Sequence, residues 1–291
     1  MRKRHGSSTL ARLAEGEAPV YLAPPTTDFR SGPMGHVHII RDFPSPHEGR
    51  SRTVRIYTPE AYDSAPAGHR FPVLYMLDGQ NVFAHPESAV YETWCANLTL
   101  EHLVREGSVE PWLIVAVDST HNRLAEYSPW DEPRGNVRAQ AQPYVRFLVE
   151  ALKPYVDSVY RTRQGPEWTG VMGSSLGGLM SLYLGRRYPE LFGRIGGLSP
   201  SVMWGWNRIF SEWTNHTRKW SRIYLDAGAQ ETIDPVGYTM YYGDATRDFY
   251  HHLKHLGYAD HELLLVLDPG GHHHELDWQR RLPFAMHWLL R

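Results

Sequence analysis

The chain lacks most of the features that would tie it to a membrane, a polyanion or an oxidising compartment. Among 291 residues there is one cysteine, Cys95, so no internal disulfide can form and the fold must rest on packing alone. A cytoplasmic location is the matching expectation. Neither sign of charge is in surplus: 30 Lys and Arg stand against 32 Asp and Glu, a formal charge of -2. That balance gives no general attraction for nucleic acid or for an anionic lipid surface. Long apolar runs are missing too. The basic opening MRKRHGSSTLARLAEGEAPVYLAPP has no apolar core of the about 7 to 15 residues that a secretory signal needs. No stretch approaches the roughly 18 uninterrupted apolar residues of a spanning helix. Neither nucleic acid nor membrane is therefore expected as a partner, and internal repeats and low-complexity tracts are absent.

What is present is a chain 42% hydrophobic and 21% charged, long enough to bury about three quarters of its unfolded surface. Residues 1–35, rich in Pro, Gly and Thr, read as an irregular extension, and residues 36–291 as one catalytic-sized domain. HVHIIRDF and RTVRIYTP, separated by the turn-forming PSPHEGRS, predict an antiparallel strand pair. Short, nearly continuous apolar runs follow (PVLYMLD, WLIVAVD, TGVMG, IGGLSP, RIYLDAG, ELLLVLDPG), each ending in Gly, Asp, Ser or Pro. Such runs fit strands buried on both faces. Segments of helical spacing alternate with them, which predicts a mostly parallel open α/β sheet with helices on both faces. A ligand would then bind beyond the carboxyl ends of the strands.

At one of those ends lies TGVMGSSLGGLMSLYLGRRYP, in which Gly173, Ser175 and Gly177 make G-x-S-x-G between a strand and a helix. This is the nucleophile-elbow pattern of α/β-hydrolases. The serine occupies a cramped turn, its neighbours must be tiny so that strand and helix backbones do not collide, and the helix N-terminus favours a developing oxyanion. As a plain strand-to-helix turn the stretch would need none of this, and Ser174 is assigned to the turn. A hydroxyl needs a base, and in that fold an acid and then a histidine follow the serine. Asp226 lies within one later strand run, RIYLDAG, with Glu231 and Asp234 after it, and His272, His273 and His274 follow the last. The oxyanion donors would be the N–H of Leu176 and, from the LDGQN loop after the first parallel strand, the N–H of Gln80. In that loop Asp78 and Gly79 replace the more usual His-Gly.

YMLDGQNVF, EYSPW, GSSLGGLMSLY, LSPSVMW, LDAGAQE and HHELDWQRRLP, in this order, resemble the putative-esterase family of α/β-hydrolases, from about His36 to the C-terminus. That family includes esterase D, enterochelin esterases, feruloyl esterase domains and mycolyltransferases. The resemblance implies a G-x-x-D/E acid, matching Gly228 to Glu231, and so selects Glu231 over Asp226 and Asp234. It also implies a histidine five positions before a tryptophan, and Trp278 points to His273, with His272 as runner-up. A departure is the run of three histidines, which loosens that register.

The expected activity is a serine carboxylesterase acting on small, carbohydrate or siderophore-type esters through an acyl-enzyme. Acyl transfer on the same fold, or a binding protein that has lost turnover, are the alternatives. No cofactor is expected. A zincin would need H-E-x-x-H, and position 278 is Trp, so no metal is expected either. Tyr127, Trp130 and Trp204, in loops leaving strand ends, are candidate pocket residues beside the plainer reading that they are core. Sequence leaves the oligomeric state open.

Overall fold

Strand by strand, apolar side chains alternate between two cores, and that alternation sets the layering. In the computed structural model, which describes residues 34–88, 92–214, 219–234, 237 and 239–291, the chain opens with β1 (His36–Ser45), β2 (Arg50–Thr58) and the short α1 (Ala61–Ser64). There follow β3 (Val73–Leu77), α2 (Ala96–Arg105), β4 (Leu113–Val117) and α3 (Arg123–Glu126). A long helix then runs from α4 (Ala141–Arg146) through a π-helical stretch, Phe147–Leu152, into α5 (Lys153–Val159). Pro154 has no N–H to give the preceding turn, so the ladder is interrupted where the helix widens. The second half is β5 (Thr169–Ser174), α6 (Leu176–Arg187), β6 (Arg194–Leu198), α7 (Trp204–Glu212) and β7 (Arg222–Gly228). It closes with the small pair β8 (Thr232–Ile233) and β9 (Met240–Tyr241), then α8 (Tyr242–His255), β10 (Leu263–Asp268) and α9 (Glu275–Leu290).

The main sheet has the order β1-β2-β4-β3-β5-β6-β7-β10. β1 and β2 are antiparallel to each other and β2 to β4, and every later neighbour is parallel. Val73, Tyr75 and Leu77 of β3 face the layer of α4, α5, α6 and α8, while Leu74 and Met76 face α2 and α9. Both faces are covered, which is why the strand runs are continuously apolar instead of alternating. The sheet expected from the sequence is the one observed. The predicted extension lies, apart from Met34 and Gly35, outside the described residues. The aromatic insert after β6 forms α7, and its Gly205, Trp206 and Asn207 are left-handed (φ 59°, 59° and 61°), a kink that sequence spacing did not predict.

One ion network fixes the loops behind the strand ends. Glu48, in the β1–β2 turn, accepts hydrogen bonds from Arg52 (2.5 Å), Arg50 (2.6 Å) and Ser45 (2.7 Å). Both arginines also reach Glu126 of α3 at 2.8 Å, and the Glu126 carboxylate accepts the Thr120 N–H at 2.9 Å. Burial opposes ionisation of Glu48, yet the hydrogen bonds from Arg52, Arg50 and Ser45 outweigh it and bring the carboxyl from its ordinary 4.5 down to about 2. A carboxylate whose pKa is depressed in the folded state stabilises above the unfolded value, and this is lost as pH falls through the folded one. The stability advantage of wild type over Glu48→Gln should therefore be full at pH 6 and shrink between pH 4.5 and about 2. Urea midpoints across that range measure it, and a gap independent of pH would contradict the expectation.

Candidate active site

The elbow between β5 and α6 is built from a steric constraint. Ser175 takes φ 57° and ψ -124°, a conformation that costs a residue with a Cβ about 1–3 kcal/mol. Its backbone is held on both sides: its N–H donates to Leu198 O at 2.9 Å, and its carbonyl accepts from Ser201 N at 3.0 Å. A methyl group on Gly173 would meet the backbone of Gly177 at 2.6 Å, and one on Gly178 would meet Pro200 at 3.0 Å. The glycines thus let strand, helix and the β6 loop approach one another. Ser175 is only 9% exposed, but it lines a cleft of about 320 Å³.

Into this cleft the loop after β10 brings His273, whose Nε2 lies 3.0 Å from Ser175 Oγ. Its Nδ1 hydrogen-bonds Glu231 Oε1, from the loop after β7. Glu231 is buried, and its other oxygen accepts from Gly228 N–H at 2.7 Å and from Ser199 Oγ at 2.9 Å. An ionised carboxylate only accepts, so Nδ1 carries the proton and Nε2 is left to receive one. Ser199, itself at φ 41°, accepts in turn from Trp278 Nε1 at 3.0 Å and from Arg281 Nη2 at 2.9 Å. With two donors arriving, its single proton is committed to Glu231. Trp278 also meets the His273 ring edge-on at 5.0 Å.

Leu176 opens α6, so its N–H has no carbonyl within its own helix. Gln80 sits in a one-turn 3-10 segment, Gly79–Asn81, preceded by left-handed Asp78 at φ 60°. Its side chain is clamped to Ser119 by two bonds, at 2.9 and 3.0 Å, which fixes the loop against the end of β4. Asp78 holds a bidentate pair with Arg123 of α3, at 2.6 and 2.7 Å. Burial works against the Arg123 charge, but Asp78 more than compensates and raises its pKa. Arg123 also reaches the Ser174 carbonyl at 3.4 Å, tying the loop after β3 to the elbow.

The other expected residues are placed elsewhere or in other roles. Tyr127 is fully buried, packed on Tyr144, and its hydroxyl accepts the Asp78 N–H at 3.2 Å, so it supports the Gln80 loop from behind. Trp204 is buried with its indole N–H donating to Ser128 at 2.8 Å, and Trp130 packs edge-on against Tyr183. None of the three lines the Ser175 cleft. Large aromatics after strand ends gain more by packing under these loops than by standing in solvent. Asp226 is buried beside Arg281 at 3.2 Å, with burial pushing its carboxyl up, and Asp234 is exposed. His272 is 83% exposed next to Asp277. Among the described residues Glu92, His274 and Glu275 have donor atoms close enough for a metal. However, Leu276 N–H donates to His274 Nδ1 at 3.3 Å, which leaves the proton on Nε2, directed at Glu92 at 3.0 Å. His274 and Glu92 are thus partners of each other. Ser199, Ser201 and Tyr242, all at the site, went unrecognised in the sequence, as did the pairing of Asp78 with Arg123, a residue whose loop the sequence already directs toward the site. Among the described residues no helix is long and apolar enough to cross a membrane.

A mostly parallel sheet with a strained serine at a strand-to-helix bend and a histidine supplied after the last strand is the α/β-hydrolase arrangement, and the chain is a carboxylic ester hydrolase. The model of the family described as putative esterase matches residues 45–289, and the chain belongs to that family. The protein YbbA of Bacillus subtilis (strain 168), described as uncharacterized, is 26% identical over 254 residues, 84% of this chain and 95% of that protein. A stretch of 161 residues, 54% of this chain but 20% of the other, is 27% identical to an endo-1,4-beta-xylanase/feruloyl esterase of Xylanibacter ruminicola. Among solved structures, an IroE-like serine hydrolase from Shewanella oneidensis superposes with TM-score 0.67 at 19% identity, covering 88% of this chain and 80% of that one. A ferulic acid esterase from Anaeromyces mucronatus does so with TM-score 0.64 at 16% identity, covering 90% and 93%.

Proposed function

We propose that the protein hydrolyses small, oxygen-rich carboxylic esters through a Ser175-His273-Glu231 triad and an acyl-enzyme. The observation that carries this reading is the 3.0 Å approach of His273 Nε2 to the oxygen of a serine held in a strained bend, with Nδ1 of the same ring on a buried carboxylate. His273 takes the Ser175 proton as Oγ attacks the ester carbonyl, and the N–H groups of Leu176 and Gln80 hold the oxyanion. The imidazolium then protonates the departing alcohol. Water, activated by the same ring, releases the acid and restores Ser175.

Substrate class follows from the cleft walls. At about 320 Å³ the cleft is small, and Asp78, Gln80, Asn81, Arg123 and Glu275 give it polar walls, with Trp278 as the apolar one. Such walls favour hydroxylated acyl or alcohol parts over long alkyl chains, whose burial would strand polar groups. The likeness to a feruloyl esterase and to a ferulic acid esterase supports the same class. Acetyl, butyryl, feruloyl and siderophore-type esters, with acid and alcohol release both quantified, test it. Short or phenolic esters are expected to outrun octanoyl or longer ones by at least about tenfold in kcat/KM. Preference for long chains would refute the substrate class. A fluorophosphonate probe that labels neither wild type nor Ser175→Ala would refute the enzyme.

A further inference from the structure

Resting on the triad reading above, we infer that Tyr242 is a positioning residue: through Ser201 it holds a hydrogen-bond chain on Ser175 Oγ that speeds the departure of this oxygen from the acyl-enzyme. The Tyr242 hydroxyl is 2.9 Å from Ser201 Oγ, and Ser201 Oγ is 3.4 Å from Ser175 Oγ, all three side chains being buried. The Tyr242 ring also packs on the His273 ring at 4.4 Å between centroids. One aromatic residue at the head of α8 therefore touches the general base with its ring and the nucleophile's neighbour with its hydroxyl.

Proton counting gives the chain a direction. Glu231 fixes the proton of His273 on Nδ1, so the Ser175 proton must go to Nε2. The Ser175 oxygen is then free only to accept, and the donor at hand is Ser201. Ser201, with its O–H donating to Ser175, accepts from Tyr242. Of the phenol's other partners, Met240 sulfur lies at 3.9 Å and is much the weaker acceptor, and Ser175 also interacts with the hydroxyl, behind Ser201 at 2.9 Å. Burial raises the Tyr242 pKa to about 12, so the phenol keeps its proton at neutral pH.

The consequence is unequal for the two halves of the reaction. A donor on Ser175 Oγ helps it shed its proton but blunts it as a nucleophile, so its effects on acylation oppose each other. In the acyl-enzyme the same oxygen is the ester's bridging atom. Water adds to the carbonyl as His273 takes its proton, and then the carbon–Oγ bond breaks, with the electron pair going to Oγ and the proton returning from His273 Nε2. A donor already on Oγ assists both steps, while Ser201 and Tyr242 retain their own protons throughout. The resting distance of 3.4 Å is long, as such contacts often are before charge develops.

Burst kinetics with p-nitrophenyl acetate separate the two steps. Tyr242→Phe, which keeps the ring on His273, is expected to slow deacylation about tenfold while acylation stays within about twofold. Ser201→Ala should give the same split and the double variant no larger effect, because all three break one chain. Equal slowing of both steps, as from a general loss of packing, would overturn the inference, as would unchanged deacylation in Tyr242→Phe and Ser201→Ala. A burst that persists in Ser175→Ala would instead overturn the triad reading on which it rests.

Discussion

Ser175→Ala is expected to lower kcat on small activated esters by on the order of 10⁴- to 10⁶-fold, with the folded state intact. Its oxygen is the elbow hydroxyl that hydrogen-bonds His273 Nε2, at 3.0 Å, and so the one placed to form the acyl bond in the proposed geometry. His273→Ala should cost about as much, and the double variant little more than either, because a nucleophile without its base and a base without its nucleophile are equally idle. What should remain in all three is the contribution of the proposed oxyanion donors, the N–H groups of Leu176 and Gln80, and of binding. The backbone distinguishes lost chemistry from lost fold. Alanine at φ 57° inherits the strain of serine, so the melting midpoint of Ser175→Ala should stay near that of wild type. Ser175→Gly, equally inactive, should melt higher because glycine accepts positive φ without a Cβ clash. Substantial turnover in Ser175→Ala, with the variant shown to be pure, would remove the nucleophile from this site.

The sequence made the α/β sheet legible because its strands are buried on both faces, and continuous apolar runs survive in one dimension. The elbow was legible for a related reason: a steric demand for Gly173, Gly177 and Gly178 is written as residue type. Other parts of the site depend on meetings that leave no local trace. Asp78 and Arg123 are 45 positions apart and pair through loops after different strands. Ser199 is an ordinary residue in LSPSVMW until its left-handed backbone turns its hydroxyl toward Glu231. Tyr242 reads as one more apolar position at the start of an amphipathic helix, although its hydroxyl ends at Ser201. Conversely, Tyr127, Trp130 and Trp204 look like pocket residues because a loop aromatic at a strand end and a core aromatic have the same sequence signature. Packing decides between them, and here it places them behind the loops.

Glu231→Gln is expected to reduce kcat by about 10³- to 10⁴-fold, a larger loss than the removal of one charge from a solvated pair would bring. The reason lies in who faces the second oxygen. Glu231 Oε2 receives the Gly228 N–H at 2.7 Å and the committed proton of Ser199 at 2.9 Å. A glutamine that offers its carbonyl to His273 must turn its NH₂ toward these two donors, which repel it in a buried setting. The flipped glutamine satisfies Gly228 and Ser199 but points its NH₂ at His273 Nδ1. The ring must then carry its proton on Nε2, the tautomer that cannot accept from Ser175. Each rotamer therefore fails, one through an unpaired buried donor and the other through the wrong proton. Asp234→Asn, at an exposed position just beyond β8, should leave kcat unchanged. If instead Glu231→Gln were nearly as active as wild type while Asp234→Asn or an Asp226 variant lost activity, the acid would have to be reassigned. The proton inventory at Ser199 would then have to be drawn afresh around the buried Asp226–Arg281 pair.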